Sequence, residues 1–240
     1  NPDSAPLRLR EKFFPAVNTL TYHVRRTRVP PPAAPEATHE AWRDAEVATV
    51  GCFRPEGSHH RPHTEVRLLH DEQAIHGLFT VSDRYVRSVH EGFQAPVWKD
   101  SCVEFFVRPR GHGGYFNFEM NAGGSLLSTY IVNWERVPGG FKEFAALPDS
   151  DLAQVTVRST LPRRIEPEHA EPLAWSLYVR LPLAVLDRHA GALGLLSGQT
   201  WTGNFYKCGD ETSHPHWASW APVRALNFHD PHSFGRLVFA

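Results

Sequence analysis

Cys102–Val107 (CVEFFV) and Tyr115–Asn121 (YFNFEMN), joined by residues 108–114 (RPRGHGG), decide the fold. Both runs are rich in aromatic residues, and the Gly-containing stretch between them reads as the long tip of a hairpin. Side chains alternate along a strand. Tyr115, Asn117, Glu119 and Asn121 therefore share one face of the second run, and Phe116, Phe118 and Met120 share the other. One face is core; the opposite face carries amides, a phenol and a carboxylate. The first run is apolar on both faces except for Glu104, which predicts a central strand covered on both sides. Whether Glu104 joins the Asn row depends on register, and a one-residue slip reverses the answer. The polar row has two readings: a solvated sheet face, or a platform that hydrogen-bonds a hydroxyl-rich ligand. Cys102, set in an apolar strand, is expected to be a buried free thiol.

Outward from this hairpin, short strand-like runs dominate. They are 64–69 (TEVRLL), 74–81 (AIHGLFTV), 125–132 (SLLSTYIV), 154–159 (QVTVRS), 173–181 (LAWSLYVRL), 200–207 (TWTGNFYK) and 236–239 (RLVF). Gly- and Pro-rich turns separate many of them. Helical signals are confined to 182–190 (PLAVLDRHA), with Pro near its start and Gly191 after its end, and to 40–45. Many short strands with few helices predict an all-β protein, an antiparallel β-sandwich of jelly-roll type with short helices and long loops. Residues 1–30 have no clean period, and 29–35 (VPPPAAP) reads as extended polyproline. The expected organisation is an extended strap over 1–39 leading into one domain over 40–240.

Twenty-five basic and 26 acidic residues leave a net charge of −1, so the basic stripe of a nucleic-acid binder is missing. No apolar run reaches the roughly 20 residues of a membrane span. Three cysteines, Cys52, Cys102 and Cys208, cannot make a disulfide framework. Neither CxxC nor HExxH occurs, and the 15 histidines fit no ligand spacing, so no metal site is expected. GxSxG, P-loop and dinucleotide fingerprints are also missing. Asp100, Glu104 and Glu119 offer carboxylates of the kind a glycosidase pairs, as any β protein does. Trp98 (VWKDS) precedes the first strand, and Trp217 and Trp220 lie in SHPHWASWAP, whose Pro and His content argues against a regular element. A tryptophan in a loop either completes the core or stacks on the apolar face of a sugar ring.

Four segments together carry a resemblance: 100–107 (DSCVEFFV), 115–127 (YFNFEMNAGGSLL), 204–220 (NFYKCGDETSHPHWASW) and 228–239 (FHDPHSFGRLVF). With 60–87 upstream they resemble the family-nine carbohydrate-binding modules, in the branch found in glycan-degrading bacteria. The likeness covers roughly residues 40 to 240 and implies a single β-sandwich. It implies a non-catalytic protein that binds a mono- or oligosaccharide by its terminal sugar, in association with glycan-degrading enzymes. Trp98 and Trp220 are the stacking residues it implies, with Trp217 beside them and Glu104, Asn121 and Asn204 reaching the hydroxyls. Arg84 and Lys207 fall in matching segments, as ligands or as salt-bridge partners. The family often carries structural calcium, but PEATHEAW at 35–42 stands where its Asp-Gly opening would be. Haem-binding relatives on the wider fold use a Met and a Lys; here those would be Met120 and Lys207, and strand parity places Met120 on the core face. A glycoside hydrolase and a haem-binding electron-transfer subunit are the competing readings. Glycan-binding modules work outside the cytoplasm, so secretion or a periplasmic place is expected, although the unpaired cysteines point the other way.

Overall fold

The computed structural model describes residues 20–109 and 113–240. Its strands are β1 (Thr21–Arg26), β2 (Ala48–Thr49), β3 (Cys52–Phe53), β4 (His63–His70), β5 (Ala74–Asp83), β6 (Val86–Ser88), β7 (Cys102–Arg108), β8 (Tyr115–Asn121), β9 (Leu126–Val137), β10 (Gly140–Ala146), β11 (Thr156–Ser159), β12 (Ile165–His169), β13 (Leu173–Pro182), β14 (Thr200–Cys208), β15 (Trp217–Ser219) and β16 (Gly235–Phe239). Among the described residues, helices are limited to α1 (Asp149–Leu152), α2 (Leu183–Ala190) and isolated single turns. Eleven of these strands follow one hydrogen-bonded path, β10-β9-β8-β7-β14-β16-β1-β4-β5-β13-β11; β2, β3 and β15 pair beside it, and β6 and β12 form a separate two-stranded sheet. β1 is its hinge: Thr21–Val24 run parallel to β16, and Arg25–Arg26 then run parallel to β4. The path folds over at β1, so its two halves face each other across one core. Phe79 of β5 meets Phe205 of β14 edge-on at 6.4 Å between ring centres. The fold is all-β and sandwich-like, as expected.

Alternation explains which residues fill that core. Val103, Phe105 and Val107 of β7, Phe116, Phe118 and Met120 of β8, and Phe205 of β14 are buried in it. They meet Val66 and Leu68 of β4, Phe79 and Val81 of β5, and Leu177 and Val179 of β13 from the opposing half. Burying a side chain of this size contributes roughly 1.5–3 kcal/mol. Met120 is thus core, and Cys102 is the buried free thiol its strand implied.

Three expectations need correction. The strap expected over 1–39 contains β1, whose alternation buries Tyr22 and Val24. The Tyr22 hydroxyl donates to the Glu46 carbonyl at 2.5 Å and accepts from the Leu68 N–H at 2.7 Å, tying the strand in. Residues 217–219 form β15 despite their His- and Pro-rich surroundings, because they pair with Tyr206–Cys208 of β14. The run expected over 125–132 continues to Val137 and returns as β10 through Pro138 and Gly139. Gly139, at φ +92, takes the left-handed conformation this tight reversal needs.

Candidate functional site

The register of the central strands settles where Glu104 points. Glu104 of β7 lies directly opposite Glu119 of β8 and opposite Tyr206 of β14. It therefore shares a face with Tyr115, Asn117, Glu119 and Asn121, on the side of the sheet away from the main core. This row is not solvated. Glu104, Asn117 and Glu119 are 2%, 3% and 5% exposed, because neighbouring segments fold over them. Phe106, Tyr115, Ile131, Tyr206, Val223 and Phe234 build a second apolar cluster on the same face, with Trp134, Phe141 and Phe228 at its margin. Val97, Cys102 and Cys208, with Trp98, Leu127 and Trp217, build another.

Between the two clusters lies a cleft of about 460 Å³, a size typical of small-molecule sites. Glu104, Asn117, Glu119, Thr129 and Cys208 contribute to its floor from the strands, and Trp217 of β15 lines it together with Trp98 and Asp210 from the loops. Arg136 and Phe141 come from the β9–β10 hairpin, and Phe228 and His229 from the segment after Trp220. Trp98 and Trp217 are both half-buried, so each keeps part of its ring open. The Trp217 indole N–H donates to Asp210 Oδ1 at 2.7 Å, which fixes the ring. Phe228 stacks on Tyr206 with ring centres 4.0 Å apart. The Arg136 guanidinium sits 4.1 Å from the centre of the Phe141 ring.

The electrostatics follow from burying acids side by side. Desolvation pushes the Glu104 carboxyl well above its ordinary range, and Cys208 and Glu119 add to the shift. Glu119 rises to about 7, chiefly through burial, although the Asn117 amide donates to its Oε1 at 2.8 Å. Burial also raises Asp210, against the Trp217 hydrogen bond. His229 goes the other way, to about 3, because burial and then Arg136 disfavour its imidazolium. The cleft thus presents protonatable carboxyls, an amide and a neutral imidazole between aromatic walls. Such groups can donate to and accept from neutral hydroxyls.

The other residues singled out from the sequence lie elsewhere. Trp220 is 8% exposed and belongs to the main core, at 5.5 Å from Phe205 and 6.3 Å from Tyr22. It does not pair with Trp98 at the rim as expected. Trp217 sits opposite Cys208 on the cleft face, and a ring three positions further along falls on the opposite face. Asn121 is occupied within the protein: its amide donates to the His90 carbonyl and to the Asp100 side chain at Oδ2, and its Oδ1 accepts from the Ser125 N–H. Asn204 braces β14, donating to the Ala221 carbonyl at 2.9 Å and accepting from the Ala221 N–H at 2.8 Å. Arg84 donates to the Ala170 carbonyl and lies over the Tyr85 ring. Lys207 points into the sandwich, where its ammonium meets Asp83 Oδ2 at 3.3 Å and His216 Nε2 at 2.8 Å. It is the salt-bridge partner that was one of its two readings. With its amine so engaged and Met120 in the core, neither residue faces the cleft.

Glu119 and Asn117 were legible as members of the polar row. Arg136 and Phe141 could have been found from the Pro-Gly-Gly turn at 138–140, which marks a hairpin. Phe228, His229 and Asp210 reach the cleft from loops, and no local pattern announces them.

Residues 36–239 match the sequence profile of carbohydrate-binding family 9. Among solved structures, a protein from Bacteroides uniformis assigned to carbohydrate binding shares 28% identity and superposes with a TM-score of 0.79, covering 92% of this chain and 100% of that one. Two structures of a family 9 module from Caldicellulosiruptor kristjanssonii share the fold. The complex with glucose has 11% identity, a TM-score of 0.63 and covers 92% of this chain and 96% of that one. The complex with cellotriose has 12% identity, a TM-score of 0.58 and covers 92% and 93%. No curated protein matches by sequence. A profile match running through almost every strand, on a sandwich of the same architecture, places the chain: it belongs to carbohydrate-binding family 9.

Proposed function

We propose that this protein is a carbohydrate-binding module that holds the terminal sugar of a glycan in the cleft lined by Trp98 and Trp217. One observation carries the reading. Two indoles with partly open rings line the cleft beside a floor of buried carboxyls and an amide, Glu104, Glu119 and Asn117. An open indole forgoes burial that a core tryptophan would gain, and a sugar ring restores it while its hydroxyls meet the polar floor. The volume suits a short saccharide, and the related module's complexes with glucose and cellotriose support a glucan-type ligand. Family membership supports a place outside the cytoplasm beside glycan-degrading enzymes. No described helix is long and apolar enough to cross a membrane.

The test is calorimetric titration with glucose, cellobiose and cellotriose, read in parallel by tryptophan fluorescence. Saturable one-to-one binding that disappears in Trp98→Ala and in Trp217→Ala is the expected result. A wild type that answers to none of these sugars, nor to any member of a glycan array, overturns the proposal. Release of product from a panel of chromogenic glycosides would instead assign Glu104 and Glu119 to hydrolysis.

A further inference from the structure

Among the described residues, one cluster has the side chains of a metal site: Cys102, Glu104 and Cys208, whose ligand atoms all lie within 4.8 Å of one another. All three are buried, at 0%, 2% and 1% exposure. Their arrangement comes from the sheet itself. Cys102 and Glu104 are two apart on β7 and so share a face, and Cys208 on β14 is the direct cross-strand partner of Cys102. Adjacent paired strands hold such side chains about 5 Å apart at Cβ, so the convergence needs no loop to move. The Cys208 thiol donates to Glu104 Oε1 at 3.1 Å, already joining two of the three groups.

We propose that Cys102, Glu104 and Cys208 bind a soft divalent cation, Zn2+ or Cd2+, at the floor of the cleft. The chemistry of the donors selects the ion. Two thiolates favour zinc and cadmium over calcium and magnesium, which take oxygen ligands. Three protein ligands leave a tetrahedral ion one open position. Glu104 and Cys208 line the cleft while Cys102 stands behind them, so that position faces the cleft and the ion enters through it. On binding, the ion replaces the Cys208–Glu104 hydrogen bond, and the two thiol protons leave to solvent, together with the Glu104 proton wherever that carboxyl is protonated. The surroundings favour a cation: Glu119 and Asp210 line the same cleft, Arg136 is the one Lys or Arg side chain among the described residues on its wall, and Lys207 is turned to the other side of the sheet. The Trp98 carbonyl, 3.6 Å from the Cys208 sulfur, adds a further oxygen at the margin. The proposal rests on the cluster itself and not on the sugar reading, although Glu104 belongs to both.

The experiment uses the full chain, reduced and stripped with a chelator, titrated with Co2+ and Cd2+ by absorbance and with Zn2+ by calorimetry. One ion per chain is expected, with thiolate-to-metal charge-transfer absorbance and the intense visible bands of tetrahedral Co2+. Cys102→Ser and Cys208→Ser are expected to weaken Zn2+ binding at least 100-fold and to lose the charge-transfer band. Cys52→Ser is expected to retain both, since Cys52 lies away from the cluster with its thiol on the Trp220 carbonyl. The wild-type Co2+ spectrum decides the matter even if a serine variant fails to fold. Octahedral Co2+ without charge transfer, Zn2+ binding that survives loss of both cysteines, or a Cys102–Cys208 disulfide that persists after reduction would each overturn the proposal.

Discussion

Trp217 and Trp220 show how strand parity assigns roles to identical side chains. Three positions apart, they point to opposite faces of the sheet, one into the cleft and one into the core. Trp98→Ala and Trp217→Ala are expected to remove sugar binding while shifting the melting temperature little, because both rings are only half-buried. Trp220→Ala is expected to cost about 3–5 kcal/mol of stability, as large core deletions do. Gly235→Ala probes the same packing from the other side. A Cβ there would come within 2.4 Å of the Trp220 ring, so denaturant unfolding should register a loss of about 1–3 kcal/mol from overpacking. A wild-type melting curve for either core variant would contradict these assignments. Two histidines carry a pH dependence. His216 and His229 are held down to about 3 from an ordinary 6.5, mainly by burial. His216 Nδ1 faces the His214 carbonyl and so carries the proton, leaving Nε2 to accept from Lys207; Asp83 and His60 complete its charged surroundings. Between about pH 6.5 and 3 the unfolded chain binds protons that the folded chain refuses. The contribution of each histidine is therefore complete above 6.5 and lost as the pH falls toward 3, at up to about 1.4 kcal/mol per pH unit. Nitrogen-15 shifts of both rings should stay neutral down to pH 4.5; imidazolium signals at pH 5.5 would refute this.

The β9–β10 hairpin is built differently at its two ends. Near β8 it is part of the sheet, with Ile131 and Leu126 fully buried. Beyond Val132 most of its residues are exposed or half-buried, yet Arg136 and Phe141 reach the cleft from there. Arg136→Ala and Phe141→Ala are expected to lower sugar affinity about tenfold, the effect of roughly 1.4 kcal/mol, with an unchanged unfolding midpoint. Equal affinity in both variants would remove the hairpin from the site. β14 is the complementary element. Its Asn204, Tyr206 and Cys208 face the cleft side, while Phe205 and Lys207 face the core. Lys207→Met is expected to destabilise by about 3–5 kcal/mol, because it strands the buried Asp83 carboxylate. Asp83 retains His60 Nε2 at 2.7 Å and the Trp175 indole, which sets the lower end of that range. Sugar affinity of the folded fraction should not change.

At the scale of the molecule, β1 joins the two halves of the sheet and places Tyr22 and Val24 in their common core. One core with a hinge strand predicts one cooperative unfolding transition. It also predicts that a chain beginning at Ala41, which lacks β1, does not fold. Two separated calorimetric transitions in the intact chain, or a folded chain lacking β1, would show that the halves stand alone. The cleft lies on the outer face of one half, between segments far apart in sequence, Trp98 and Phe228 among them. Its geometry thus depends on the whole sandwich being formed.

Period-two alternation in CVEFFV and YFNFEMN was enough to identify a central strand pair, its core face and a polar row, and the spacing of similar runs was enough for an all-β sandwich. These features are local, because a strand's two faces follow from its own residues. β1 escaped notice because its alternation, Tyr22 and Val24 among polar neighbours, is only two residues deep. Register was not local: whether Glu104 joins Glu119 depends on how β7 and β8 slide against each other. Loop placement was not local either. Asp210 enters the cleft because the strands flanking its loop, β14 and β15, pair, and Phe228 and His229 because β15 and β16 both pair with β14. The same holds for burial. Asn121 and Asn204, read from the sequence as free to meet a ligand, spend their hydrogen bonds on backbone that arrives from 31 and 17 residues away. A buried amide must be satisfied by whatever the fold brings to it, and only the tertiary structure decides what that is.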